Sequence, residues 1–166
     1  MALMASELHC AIKEFAFTIS DQSLGLVSYR PHSGAKHTNC IANALDVQDK
    51  YGGEVRYGWY FSHRMSEKFG DYLIATHHAV WQMEDLVLVD VTPFHPETKH
   101  QPITQSSDTL FLVDDKSQPF RRENLIVPLP LRFYVIKHDP ALQNYIQKLQ
   151  QKEYESYNRL YGSSFS

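Results

Sequence analysis

Val55, Tyr57, Trp59 and Phe61 alternate with Arg56, Gly58 and Tyr60, the period-2 pattern of a strand with one face buried. Two further β-rich runs follow, Tyr72 to Trp81 and Leu86 to Thr92. The short polar stretch Met83, Glu84 and Asp85 between them predicts a hairpin. Upstream the apolar spacing is helical instead. Leu3, Leu8, Ile12, Phe15 and Phe17 predict a first helix within residues 2–17. Ile41, Ala44, Leu45 and Tyr51 share one face of a second, over residues 40–51, which Gly52 and Gly53 stop. Thr38 or Asn39 can cap its start through a side-chain oxygen. The stretch before it, Tyr29 to Asn39, carries Pro31, Ser33 and Gly34 and reads as a loop.

The remainder of the chain is more broken. Between Pro93 and Pro119, prolines together with Ser106, Ser107, Asp108 and Asp114 indicate loop, interrupted by one short strand at Leu110 to Val113. Leu125 to Val127 and Leu131 to Ile136 predict two more strands, with Pro128 and Pro130 confining the chain between them to an edge or a bend. A last helix begins with Asp139 as cap and Pro140 in the first turn. It carries an apolar stripe of Leu142, Ile146, Leu149, Tyr157 and Leu160, and ends at Gly162. Helices followed by strands and a final helix indicate an α+β domain with a mainly antiparallel sheet, spanning residues 1–166 as one unit.

Composition narrows what such a domain does. With 43% hydrophobic and 21% charged residues the balance is globular, and 166 residues suffice for one core. Sixteen basic against nineteen acidic residues leave a net charge of -3, so the chain lacks the basic footprint of a nucleic-acid or anionic-membrane binder. The start has no signal-peptide pattern and no apolar run is long enough to span a bilayer, which points to the cytoplasm; an effector exported by a dedicated machine has the same kind of start. Two cysteines cannot build a disulfide framework. Cys10 has no polar company and is expected to pack the first helix, whereas Cys40 stands at a helix start.

That position has chemical meaning. First-turn amides and a nearby imidazolium both favour a thiolate, and the free backbone amide of Cys40 can help hold an oxyanion. A base and an orienting group are then needed. A three-residue loop over Met83 to Asp85 places Val80 opposite Leu88, Gln82 opposite Leu86 and His78 opposite Asp90, on one face. A register one residue away brings His77 to that face instead. Asp90, flanked by Val89 and Val91, needs a partner to stay charged in such a strand.

Asn39 and Cys40 at the helix start, His78, Ala79 and Trp81 in one strand, and Leu88, Val89, Asp90, Val91, Thr92 and Pro93 in the next resemble the Cys-His-Asp pattern of the papain-like and transglutaminase-like thiol enzymes. The likeness covers residues 38–93 as an order of residues in context. It implies a papain-like cysteine proteinase type of fold, with the nucleophile helix packed on the sheet. It also implies that Cys40 attacks an amide or acyl carbonyl, that His78 is base and then acid, and that Asp90 orients the ring. Papain-like peptidases carry a glutamine shortly before the cysteine, and Ser33 to Asn39 holds none, which leaves Asn39, His37 or a backbone amide as oxyanion donor. The tryptophan that accompanies the cysteine in those enzymes is also missing, and Trp59 and Trp81 are the candidates to line the cleft.

The expected activity is a cysteine-dependent hydrolase acting through a thioester on a peptide, protein or other amide, with no cofactor. An amine in place of water makes it a transferase. Two other classes compete with it. A non-catalytic binding domain of the same fold would simply bury Cys40. A zinc hydrolase would gather His32, His37 and Cys40 with His77 or His78, but no C-x-x-C or H-E-x-x-H spacing is present and no metal is expected. His95 and His100 fall among loop residues and are expected to be solvated.

Overall fold

The computed structural model describes residues 5–94 and 108–166. Along the chain it contains α1 (Ala5–Ile19), β1 (Leu24–Tyr29), α2 (Cys40–Tyr51), β2 (Glu54–Ser66), β3 (Gly70–Gln82) and β4 (Leu88–Asp90), then β5 (Thr109–Val113), β6 (Phe120–Arg122), β7 (Leu125–Val127), β8 (Arg132–Val135) and α3 (Pro140–Tyr161). The architecture is α+β, with a mostly antiparallel six-stranded sheet and a separate two-stranded pairing of β6 with β7. No described helix is long and apolar enough to cross a membrane.

The alternation at 55–61 is the visible part of a longer hairpin. β2 and β3 pair from Glu54↔Gln82 to Ser66↔Gly70. The sheet order is β2-β5-β1-β4-β3-β8, and because β2 also pairs with β3, five strands close into a ring with β8 outside it. One contact in the ring is parallel, β1 with β4 through Ser28↔Val89 and Tyr29↔Asp90. Inside it Val27, Val80, Phe111 and Val113 pack together with Leu88. Gly58 lets β2 and β5 approach: a Cβ there would collide with the Leu112 carbonyl and press on the Phe111 ring.

Both early helices cover the outside of this ring. Ala11, Ile12, Phe15 and Ala16 of α1 bury against Trp59, Phe61 and Leu73. Ile41, Ala44 and Val47 of α2 bury against Tyr57, Ala79, Val89 and Val91. Each fully buried aliphatic or aromatic side chain contributes about 1.5–3 kcal/mol of transfer free energy, so the two clusters fix both helices on the sheet. Cys10 departs from expectation. It lies on the exposed face of α1 and takes no part in this core.

α3 is capped as the sequence predicts: the Asp139 carboxylate accepts from the Leu142 amide at 2.9 Å, Pro140 opens the first turn, and Gly162 ends the helix in a left-handed conformation. Only part of its apolar stripe is buried, since Leu142, Ile146 and Tyr157 are enclosed while Leu160 is 70% exposed. The helix also satisfies the outer edge of β8. Gln150 accepts from the Phe133 amide and donates to the Leu131 carbonyl, and Glu153 accepts from the Leu131 amide at 2.9 Å.

Three expectations change. The residues of β1 and β6 carried no strand assignment. The β3–β4 register is shifted by two residues, pairing Gln82 with Leu88 rather than Leu86 and Trp81 with Val89. Five residues make the connection, 83–87, closed by hydrogen bonds from Met83 N–H to Val87 C=O and from Leu86 N–H to Met83 C=O; Leu86 adopts φ 69 and turns into solvent with Val87. Because strand faces repeat every two residues, a shift of two preserves which side chains share a face.

Candidate active site

The cysteine is delivered by a loop that another helix residue fastens. Arg30 N–H donates to the Asp90 carbonyl and His32 N–H to the Val91 carbonyl, carrying the ladder beyond β1. The chain then turns back, with Thr38 at φ 71, a left-handed conformation that costs a β-branched residue roughly 1–3 kcal/mol. Asn39 holds the N-cap position but its side chain makes no capping hydrogen bond, contrary to the expected cap. Asn43, one turn along, supplies the tether. Its amide accepts from Lys36 N–H at 3.1 Å, donates to the Lys36 carbonyl at 2.7 Å, and reaches Thr92 Oγ1 at 3.1 Å. The first helical bond runs from Asn43 N–H to Asn39 C=O, so the amides of Cys40, Ile41 and Ala42 have no acceptor within the helix.

His78 and Asp90 come from adjacent strands on the ring's inner side. His78 Nε2 lies 2.9 Å from Asp90 Oδ1, and Asp90 is fully buried. The other carboxylate oxygen accepts from Thr109 Oγ1 at 2.7 Å, and Oδ1 also accepts from the Thr92 amide at 3.2 Å. Tyr60 and Phe111 meet the imidazole edge-on, at centroid distances of 5.2 and 6.3 Å. Burial alone would push His78 down, but the charge and hydrogen bond of Asp90, together with the Cys40 thiol as a hydrogen-bond partner, hold it well above its ordinary value. Burial likewise opposes ionisation of Asp90, and the His78 charge with the bonds from His78, Thr109 and Thr92 overcomes it and lowers the carboxyl. Since Nε2 is turned to Asp90, Nδ1 is the ring nitrogen that does not face the carboxylate.

The neighbouring His77 points the other way. Its Nδ1 accepts from the Leu129 amide at 3.1 Å, so Nε2 carries the proton and donates to the Ser117 carbonyl at 2.6 Å. Tyr57 stacks on the ring and Trp59 meets it edge-on. Burial pushes its pKa down to about 4. His77 is therefore a neutral side chain spanning two backbone groups, and it does not reach Asp90 in the place of His78.

Cys40 and His78 open into a cavity of about 410 Å³. Neither expected tryptophan lines it: Trp59 is buried in the α1 cluster with its indole N–H donating to Asp114, and Trp81 packs toward α2 with its N–H on the Gly52 carbonyl. The aromatic lining comes instead from Tyr60, Phe94, Tyr157 and Tyr161. Asn39 and His37 are exposed on the approach to the helix and neither lines the cavity, whereas Thr38 does. His32 lies 3.8 Å from Asp46. Among the described residues no three His, Cys, Asp or Glu side chains gather as a metal set, so the zinc arrangement of His32, His37 and Cys40 is not assembled. His95 and His100 lie outside the described residues.

Sequence reasoning missed Asn43, Thr92 and Thr109. Asn43 offered one signal, a polar residue beside Ala44 on the apolar side of α2, and Thr92 another, two residues beyond Asp90 in the same run. Thr109 offered none, because it reaches Asp90 only through ring closure. No family model, curated protein or solved structure matches this chain.

Proposed function

We propose that the chain is a cysteine-dependent hydrolase of papain-like type, cleaving an amide or related acyl bond with Cys40 as nucleophile, His78 as base and acid, and Asp90 as orienting group. The observation that carries this reading is the buried His78–Asp90 pair, with His78 and Cys40 lining one cavity. The Cys40 sulfur gives its proton to His78 and attacks the carbonyl carbon as the thiolate of that ion pair. The oxygen takes the negative charge and is met by amide donors of the first turn of α2. His78 returns the proton to the leaving amine, giving a thioester, and water activated by the same ring releases the acid. A nucleophile at the start of a helix, with base and orienting residue on adjoining strands of the sheet it covers, supports the papain-like assignment.

Cys10, exposed on α1, is a built-in reference thiol for the test. Iodoacetamide at about pH 6 is expected to alkylate buried Cys40 before exposed Cys10, as read by peptide mass spectrometry, because an ion-paired thiol stays reactive where an ordinary one is protonated. Labelling of Cys10 first, with Cys40 following ordinary thiol titration, overturns the reading.

A further inference from the structure

The last two turns of α3 form one wall of the cavity. Glu153, Ser156, Tyr157, Leu160 and Tyr161 fall at i, i+3, i+4, i+7 and i+8, a single stripe of the helix, and all five line it. Val127, Pro128, Leu129 and Leu131 form further lining, and this segment is held in place from both sides. His77 accepts from the Leu129 amide, Glu153 from the Leu131 amide, and the Tyr157 hydroxyl donates to the Pro128 carbonyl at 2.7 Å.

Charge within this apolar enclosure is one-sided. Among the described lining residues Glu153 is the only carboxylate, and there is no lysine or arginine. Its Oε1 is engaged with Leu131, which fixes the side chain and leaves the second oxygen as an acceptor. An anionic group entering here meets a fixed negative charge, and the one lining residue able to carry positive charge, His78, is already paired with Asp90; a neutral polar group leaves the apolar walls unfilled. An apolar chain or ring ending in a protonated amine satisfies both, burying carbon against the walls and placing a charge-assisted hydrogen bond on the carboxylate.

We infer that the cavity takes an amide bearing an apolar, amine-terminated group, with its ammonium on Glu153 and its scissile carbonyl at Cys40. This rests on the reading of Cys40 as nucleophile. The shared chemistry is an alkylammonium, carried either by a lysine-like linear chain or by an aromatic amine-bearing side group.

A series of N-substituted chloroacetamides tests it in the full chain carrying Cys10→Ser. In each the Cys40 sulfur forms a bond to the methylene carbon, chloride leaves, and the thiol proton is taken by His78, so rates of mass gain report occupancy of the site. N-phenethyl chloroacetamide is expected to react about tenfold faster than the N-methyl parent, and the para-aminomethylphenethyl or aminopentyl probe about tenfold faster again, each step being near 1.4 kcal/mol. The para-carboxyphenethyl probe is expected to fall below the neutral one. Glu153→Gln keeps an acceptor for the Leu131 amide and is expected to erase the advantage of the cationic probes. Leu160→Glu, at an exposed lining position, is expected to reduce the advantage of the phenethyl probe over the methyl parent. A faster aminopentyl probe assigns the linear chain and a faster aromatic one assigns the ring. Equal rates across the series, or the carboxylate ranking first, overturn the inference while rapid iodoacetamide labelling near pH 6 leaves the nucleophile standing. Failure of every reagent to reach Cys40 removes both.

Discussion

His77 and His78 are consecutive on one strand and both almost fully buried, yet their surroundings push them in opposite directions. His77 faces outward under the segment carrying Ser117 and Leu129, where both ring nitrogens are consumed by backbone groups and burial keeps it neutral. His78 faces the inside of the ring, where one nitrogen meets a carboxylate and the ring shares a cavity with Cys40. Burial desolvates both, and the difference is a carboxylate hydrogen-bonded to the ring. A buried imidazole without one is a hydrogen-bonding spacer; with one it holds its proton more tightly than in water.

The strongest way to break this contrast is to exchange the roles. His78→Ala is expected to slow Cys40 alkylation near pH 6 by about 10²- to 10⁴-fold, the usual range for a general base, whereas His77→Gln alters stability without moving the pH dependence of labelling. A shift of that pH dependence in His77→Gln would remove the distinction.

Stability against pH sharpens it. The unfolded chain binds a proton at His77 near the ordinary value of 6.5, and the folded chain only near 4. Between those values the unfolded state holds more protons, so stability falls as pH drops through the window, by at most about 3 kcal/mol. His78 has the opposite sign. Its contribution is complete below 6.5 and is lost as pH rises through its raised folded value. Asp90, with a lowered value, contributes above 3.8 and loses that contribution as pH falls through the folded value. Urea unfolding from pH 4 to 9 should therefore lose its acid limb between 6.5 and 4 in His77→Gln and its alkaline limb in His78→Gln. A common limb shared by both variants would refute the assignment.

A more local effect is expected at Thr109. Thr109→Val removes one donor from Asp90 Oδ2 and should cost about 1–3 kcal/mol in denaturant unfolding. Ser117→Ala, by contrast, retains the backbone carbonyl that receives His77 and should leave that ring's acid limb in place.

Much of this contrast was written in local pattern. α2 begins at Cys40 and ends at Tyr51 as its apolar face and the paired glycines require, and the shared face of His78 and Asp90 survived a two-residue error in register because strand faces have period two. The error itself came from Leu86 and Val87, which read as strand by composition but sit in the turn. β1 was not legible. Leu24 to Tyr29 lacks clean alternation, with Leu26 exposed beside buried Val27, and its parallel pairing with β4 follows from no hairpin rule. Without β1 the ring could not be inferred, nor could Thr109 be brought to Asp90. The tryptophans show the same limit: Trp59 and Trp81 were expected to line the cleft, but Trp59 is buried against α1 and Trp81 packs beside α2.

Ring closure also orders events in time. Asp90 is paired by β1 from far upstream and reaches Thr109 from downstream, contacts of long sequence separation that form slowly compared with a local helix or hairpin. A chain emerging during synthesis can therefore carry Cys40 on a formed α2 well before Asp90 is enclosed. On the role proposed for Cys40, its reactivity is expected to follow the enclosure of Asp90, so the onset of rapid Cys40 labelling in a refolding experiment is expected to coincide with closure of the ring.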